Sequence, residues 1–106
     1  MQDKDFWKLY AWVVRGKQRR LALIFMERPM TVTELKKKIN SNVKLSQKQL
    51  SLREVSRQLT SFEKKGIDKC LNPKEPLGHI YQLTQKGNIV REEILKDLQS
   101  HKVDKG

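Results

Sequence analysis

The stretch Ser51-Leu52-Arg53-Glu54-Val55-Ser56-Arg57-Gln58-Leu59-Thr60-Ser61-Phe62-Glu63-Lys64-Lys65-Gly66 decides the fold. Ser51 followed three residues later by Glu54 has the form of a capping box, in which each side chain satisfies the other residue's backbone N–H at a helix start. The helix it opens reaches Lys65. Gly66 closes it, because glycine takes at little cost the left-handed conformation common just past a helix end. On a helical wheel Leu52, Val55, Leu59 and Phe62 gather on one side, and Arg53, Arg57, Thr60, Ser61 and Lys64 on the other. A helix fits the major groove of B-DNA, where Arg matches guanine O6 and N7 and where Ser and Thr serve bases or phosphates. Arg53 and Arg57, one turn apart, are the first choice for base contacts. The alternative for the same residues is an ordinary solvated face, with Glu54 pairing to Arg57 or Gln58.

Upstream, Thr31-Val32-Thr33-Glu34 repeats the capping pattern. It predicts a short helix to about Asn40, with Val32, Leu35 and Ile39 inward and Lys36, Lys37 and Lys38 mostly in water. The two helices together span about 31–65 as a helix-turn-helix, although the turn from Ser41 to Leu50 is longer than the minimal one. Before them, Phe6, Leu9, Tyr10 and Val13 share one face of a helix over about 5–14. Trp12 falls off that stripe, which suggests an exposed indole at a partner surface or, alternatively, one covered by the N-terminus. Arg15-Gly16 ends this helix. A second runs from Lys17 to Arg28, buries Leu21, Ile24 and Phe25, and stops at Pro29.

Downstream, Ile67, Lys69 and Leu71 alternate, and His79-Ile80-Tyr81-Gln82-Leu83 forms a second short strand. The loop Asn72 to Gly78, with Pro73 and Pro76, joins them into a β-hairpin over about 67–83, whose Lys69, Lys74 and His79 can reach phosphates or the minor groove. Cys70 and His79 across this hairpin are two ligands at most and do not make a zinc site. A last helix over about 85–100 carries Val90, Ile94, Leu95 and Leu98 on a broad apolar face, extended by Ile89. Some of that face, with Trp12, is expected to pair two copies of the chain into a homodimer. The tail His101 to Gly106 is expected to fray.

Composition agrees with one basic domain. The chain has 106 residues, 37% of them hydrophobic and 33% charged, and a net charge of +11. One core is what this length supports. From Lys36 to Lys74 there are 11 basic residues against three acidic ones, so +8 of the charge lies in the middle segment. A pI near 10.0 suits a densely negative partner such as nucleic acid, though a lysine-rich surface kept for solubility has the same charge. No stretch approaches the roughly 20 apolar residues of a membrane span, and no secretory core follows Met1-Gln2-Asp3-Lys4, so a cytoplasmic, nucleoid-associated place is expected. Cys70 is the single cysteine and forms no internal disulfide. There is no Gly-rich phosphate loop, no metal-ligand spacing and no nucleophile with a base beside it. The expectation is therefore no enzyme, no cofactor, no metal and no small-molecule ligand.

In this order the two capping-box helices, Phe62-Glu63-Lys64-Lys65-Gly66-Ile67 and Leu83-Thr84-Gln85-Lys86-Gly87 resemble prokaryotic winged-helix regulators of the MarR and ArsR type over roughly residues 15–92. The resemblance implies a mostly α fold with a small β-hairpin, a winged helix-turn-helix with extra N-terminal and C-terminal helices. It also implies a transcription regulator, usually a homodimer on a roughly palindromic operator, with Ser51, Arg53, Ser56 and Arg57 at the positions that face DNA. Thr84 looks like the cap of the closing helix. The long Ser41–Leu50 turn departs from the pattern, and no ligand-pocket motif is present. The expected set of double-stranded DNA contacts is thus Lys36, Lys48, Ser51, Arg53, Ser56, Arg57, Ser61, Lys64, Lys69 and Lys74. Two other readings use the same fold: a module for protein assembly or RNA binding, and a weakly specific architectural DNA binder.

Overall fold

The apolar spacings of the sequence resolve into five helices and three short strands in a computed structural model, which describes residues 4–42 and 49–105, with side chains as far as residue 99. In chain order these are α1 (Lys4–Arg15), α2 (Lys17–Phe25), β1 (Met30–Thr31), α3 (Val32–Asn42), α4 (Leu52–Lys64), β2 (Asp68–Cys70), β3 (Ile80–Leu83) and α5 (Gln85–Lys105). Phe6, Leu9 and Val13 of α1 are buried as their spacing requires. Two arginines of α2 close the end of α1: Arg19 Nε donates to the Trp12 carbonyl at 2.7 Å and Arg20 Nη1 to the Val14 carbonyl at 3.1 Å. These satisfy carbonyls that a helix end leaves without an intrahelical partner.

α2 is the hub of the core. It packs against α1, α3, α4 and α5, so its most enclosed side chains are Ala22 and Leu23, followed by Met26 just past its end. The expected Leu21, Ile24 and Phe25 are only half-buried around them. A helix enclosed on several sides has no single stripe for periodicity to find. It also ends at Phe25, earlier than the expected Arg28.

The sheet has one strand more than the hairpin expected from sequence. β1 pairs antiparallel with β3 through Met30 opposite Tyr81 and Thr31 opposite Ile80. β3 in turn pairs with β2, giving the order β1-β3-β2. β3 is thus the central strand, with Tyr81 and Leu83 buried. β1 leads directly into α3, whose start has the expected box: Thr31 N–H donates to Glu34 Oε1 at 2.9 Å and Glu34 N–H to Thr31 Oγ1 at 3.1 Å. The Thr31 N–H, with smaller help from the Thr31 hydroxyl and the charge of Arg28, holds the Glu34 carboxyl below its usual pKa.

Between α3 and α4, the Asn40 amide bonds both backbone groups of Leu50, donating to its carbonyl and accepting from its N–H, each at 2.9 Å. Leu50 is buried beneath that clamp. The junction of α4, β2 and α5 is equally closed. Gly66 takes φ 76°, and Thr84 Oγ1 donates to the Gly66 carbonyl at 2.6 Å and accepts from Gly87 N–H at 3.1 Å. Thr84 therefore caps α5 and ties it to the base of the hairpin. α5 continues to Lys105, beyond the expected 100. Among the described residues no helix is long and apolar enough to cross a membrane.

Candidate nucleic-acid interface

α4 presents its basic side outward because its other side is held at two levels. Val55, Leu59 and Phe62 enter the core. The capping box forms, with Ser51 N–H donating to Glu54 Oε1 at 2.9 Å and Glu54 N–H to Ser51 Oγ at 3.1 Å. The second Glu54 oxygen accepts from Gln18 Nε2 at 2.8 Å, and Gln58 Nε2 donates to Gln18 Oε1 at 3.1 Å. A single glutamine of α2 thus fixes two consecutive turns of α4 and takes up Glu54. Sequence reading passed over Gln18, since no local signal tells a bridging amide from a solvated one.

What remains on the outside is cationic. Arg53 and Arg57 are exposed, and no hydrogen bond or ion pair among the described residues engages their guanidinium groups. Ser51, Thr60 and Lys64 are exposed on the same helix, with Ser56 and Ser61 half-buried beside them. Leu52 differs from expectation: it is exposed and does not join the core. It occupies the first helical position, where α4 has not yet reached the surface that covers Val55 one turn later. On α3, Lys36 is half-buried, and Lys38 forms an ion pair with Glu27. Lys48 lies outside the described residues.

The hairpin stands beside this helix with Lys69 and Lys74 exposed. Its loop is organised by Asn72, whose Oδ1 accepts from Ile80 N–H at 2.8 Å and whose Nδ2 donates to the Gly78 carbonyl at 3.2 Å. The Cys70 thiol also donates to Asn72 Oδ1, at 3.6 Å. His79 Nε2 lies 2.6 Å from the Glu75 carbonyl. Cys70 and His79 are therefore each bonded within the loop rather than to one another.

The residues expected at a dimer contact separate into two groups. Val90 and Ile94 are buried in the chain's own core, because α5 packs on α1, α2 and β3. Trp12 is not an exposed indole: it meets the Phe62 ring edge-on at 6.1 Å, with the Arg19 guanidinium 4.4 Å and the Lys65 ammonium 5.1 Å from its ring centre. Leu95 is half-buried and Leu98 exposed. The exposed tryptophan is Trp7 of α1, which lies edge-on to Tyr10 at 5.5 Å. Tyr10 has its pKa raised by burial and then by the charges of Asp97 and Glu93, which places the acidic side of α5 close to α1.

A helix-turn-helix followed by a hairpin and closed by a helix under its base is a winged helix-turn-helix. Two solved structures share this arrangement. One is a MarR family transcription regulator, with TM-score 0.68 and 20% identity over 91% of this chain and 64% of that one. The other is the reduced form of the transcriptional regulator YodB from B. subtilis, with TM-score 0.62 and 19% identity over 94% of this chain and 90% of that one. The chain thus spans a little under two thirds of the first of these proteins. At such identities the likeness is one of fold. No protein-family model and no curated protein matches the chain by sequence.

Proposed function

We propose that the protein is a sequence-specific regulator of transcription that binds double-stranded DNA as a homodimer, with α4 in the major groove and the hairpin on the backbone. It works by binding and not by catalysis, inside the cell where the chromosome lies. The observation that carries this reading is the pair of exposed arginines, Arg53 and Arg57, with no hydrogen bond or ion pair among the described residues, one turn apart on the outward face of a helix fixed from behind by Gln18. Both solved structures that share the fold are described as transcription regulators. The +11 charge would serve a weakly specific architectural binder equally well. Selection of bound sequences from a random duplex pool separates the two, since a regulator enriches one motif.

On the enriched site, Arg53→Ala or Arg57→Ala is expected to cost about 1–3 kcal/mol and to relax base preference at one position in each half-site. Lys74→Ala should weaken good and poor sites alike and lower the slope of log affinity against log salt by roughly 0.9. Titrations across a salt series give both numbers. Wild-type affinity and preference in both arginine variants would remove α4 from the base-reading role.

The dimer surface we assign to the exposed apolar residues of α1 and α5, Trp7 and Leu98, with Leu95 at its edge. Ile94 is excluded as a probe, since its replacement would damage the core. Trp7→Lys with Leu98→Lys should give a monomer whose helical circular dichroism is intact. A wild-type protein that sediments as a monomer at tens of micromolar would contradict the assignment.

A further inference from the structure

Among the described residues, the large apolar side chain most open to water is at the tip of the wing and not on a helix. Leu77 is 85% exposed, against 46% for Trp7, Leu52 and Leu71. Isolated apolar residues on a surface are ordinary, but this one is held in place. Asn72 bonds across the loop to Gly78 and Ile80, Glu75 N–H donates to the Asn72 carbonyl at 3.1 Å, and His79 meets the Glu75 carbonyl. Gly78 follows with φ 70° and open space around it. The loop thus has an internally bonded base, and Pro76-Leu77 project from it.

Charge is not what this tip offers. Lys74 and Glu75 are both exposed and opposite in sign, so the tip has little net charge of its own, and the phosphate contacts lie beside it, at Lys74 and Lys69 and on α4. A protruding leucine backed by a bonded loop, on a strongly basic protein, has the form of a wedge for a nucleic-acid groove. Such wedges enter the minor groove and unstack neighbouring bases, at least cost where the step is a flexible pyrimidine–purine one.

We propose that Leu77 is an apolar wedge that enters the minor groove of the bound duplex and opens one base step there. The proposal rests on the duplex-binding reading above. It makes the wing a reader of DNA deformability as well as a contact to the backbone, and gives the site a preference at a position that no hydrogen bond reads. Burying one leucine is sufficient for roughly tenfold in affinity.

The test uses the full chain and the duplex selected by the wild type, labelled at both ends so that bending changes energy transfer between the labels. Wild type, Leu77→Ala, Leu77→Met and Arg53→Ala are titrated across a salt series. Leu77→Ala should bind roughly tenfold more weakly, with an unchanged salt slope and a smaller bend, while Leu77→Met stays near wild type. Its thermal melt should match wild type, because the side chain lies in water. Replacing a flexible step beneath the tip with a stiff A-tract step should weaken the wild type and leave Leu77→Ala unaffected. Wild-type affinity and bend in Leu77→Ala would overturn the wedge, and so would a loss of affinity accompanied by a lower salt slope or by an unaltered bend. If Arg53→Ala loses preference while Leu77→Ala does not change, only the wedge falls. If the wild type binds no duplex, the DNA-binding reading falls and the wedge with it.

Discussion

Gly87→Ala should lower the stability of the domain by about 3 kcal/mol or more, enough to leave much of a small protein unfolded. A β-carbon at position 87 would lie 2.1 Å from the Ile67 carbonyl oxygen, 3.0 Å from its carbon and 3.1 Å from its side chain. The oxygen cannot give way easily, since it accepts from Thr84 N–H at 2.9 Å. Relief would require α5 to move off the base of the wing, breaking the Thr84 cap. Gly66→Ala is the control. Apart from its own chain neighbours, the nearest atom to its β-carbon position is Lys86 Nζ at 3.9 Å, so only the left-handed φ is penalised, by about 1 kcal/mol. Urea denaturation of the two variants measures the difference. A Gly87→Ala protein within about 1 kcal/mol of wild type would mean that α5 and the wing are not locked together.

The second large effect concerns Asp68, the first residue of β2. It is only 2% exposed, and both carboxylate oxygens are buried without a hydrogen-bond partner. Burial, with a smaller push from the charge of Glu63, raises its pKa from 3.8 to about 7. The folded protein therefore binds a proton here more tightly than the unfolded chain does. Its stability falls as pH rises from about 4 to about 7 and is level above that. The penalty at pH 8 is on the order of 2 kcal/mol once solvent relaxation around the carboxylate is allowed for. Asp68→Asn removes the charge at nearly constant shape. It should stabilise the protein at pH 8 and have little effect near pH 4.5, as followed by denaturant melts at both values. An equal effect of the substitution at the two pH values would show that ionisation of Asp68 is not the cause.

The regions of the fold that were legible in the sequence are those in which one residue's chemistry decides a local geometry. Both capping boxes, at Thr31–Glu34 and Ser51–Glu54, form as their spacing requires. Thr84 caps α5 as the Leu83-Thr84-Gln85-Lys86-Gly87 stretch suggests, whereas the close approach of Gly87 to Ile67 appears only in the fold. β1 could not be read, because Met30 and Thr31 are too few to alternate and owe their strand form to pairing with β3. The face of α2 was not legible either, since helices on several sides bury small and large residues together. In the site, Arg53 and Arg57 follow from the wheel, whereas Gln18, Leu77 and the changed roles of Trp12 and Trp7 depend on which elements meet. Trp12 lies off the α1 stripe and yet is covered, because the end of α4 brings Phe62 and Lys65 to it. A helical wheel drawn for one helix holds no information about that neighbour.

The Asn40 amide that grips Leu50 at both backbone groups acts as a staple across the mouth of the helix-turn-helix turn. With the ends pinned, the distance from α3 to α4 no longer depends on the chain that runs between them. Lengthening that chain costs only the slow logarithmic entropy of a closed loop, about 0.6 kcal/mol for each doubling. A change in the length of the chain between Asn40 and Leu50 is thus expected to leave the placement of α4 against α3 as the clamp sets it.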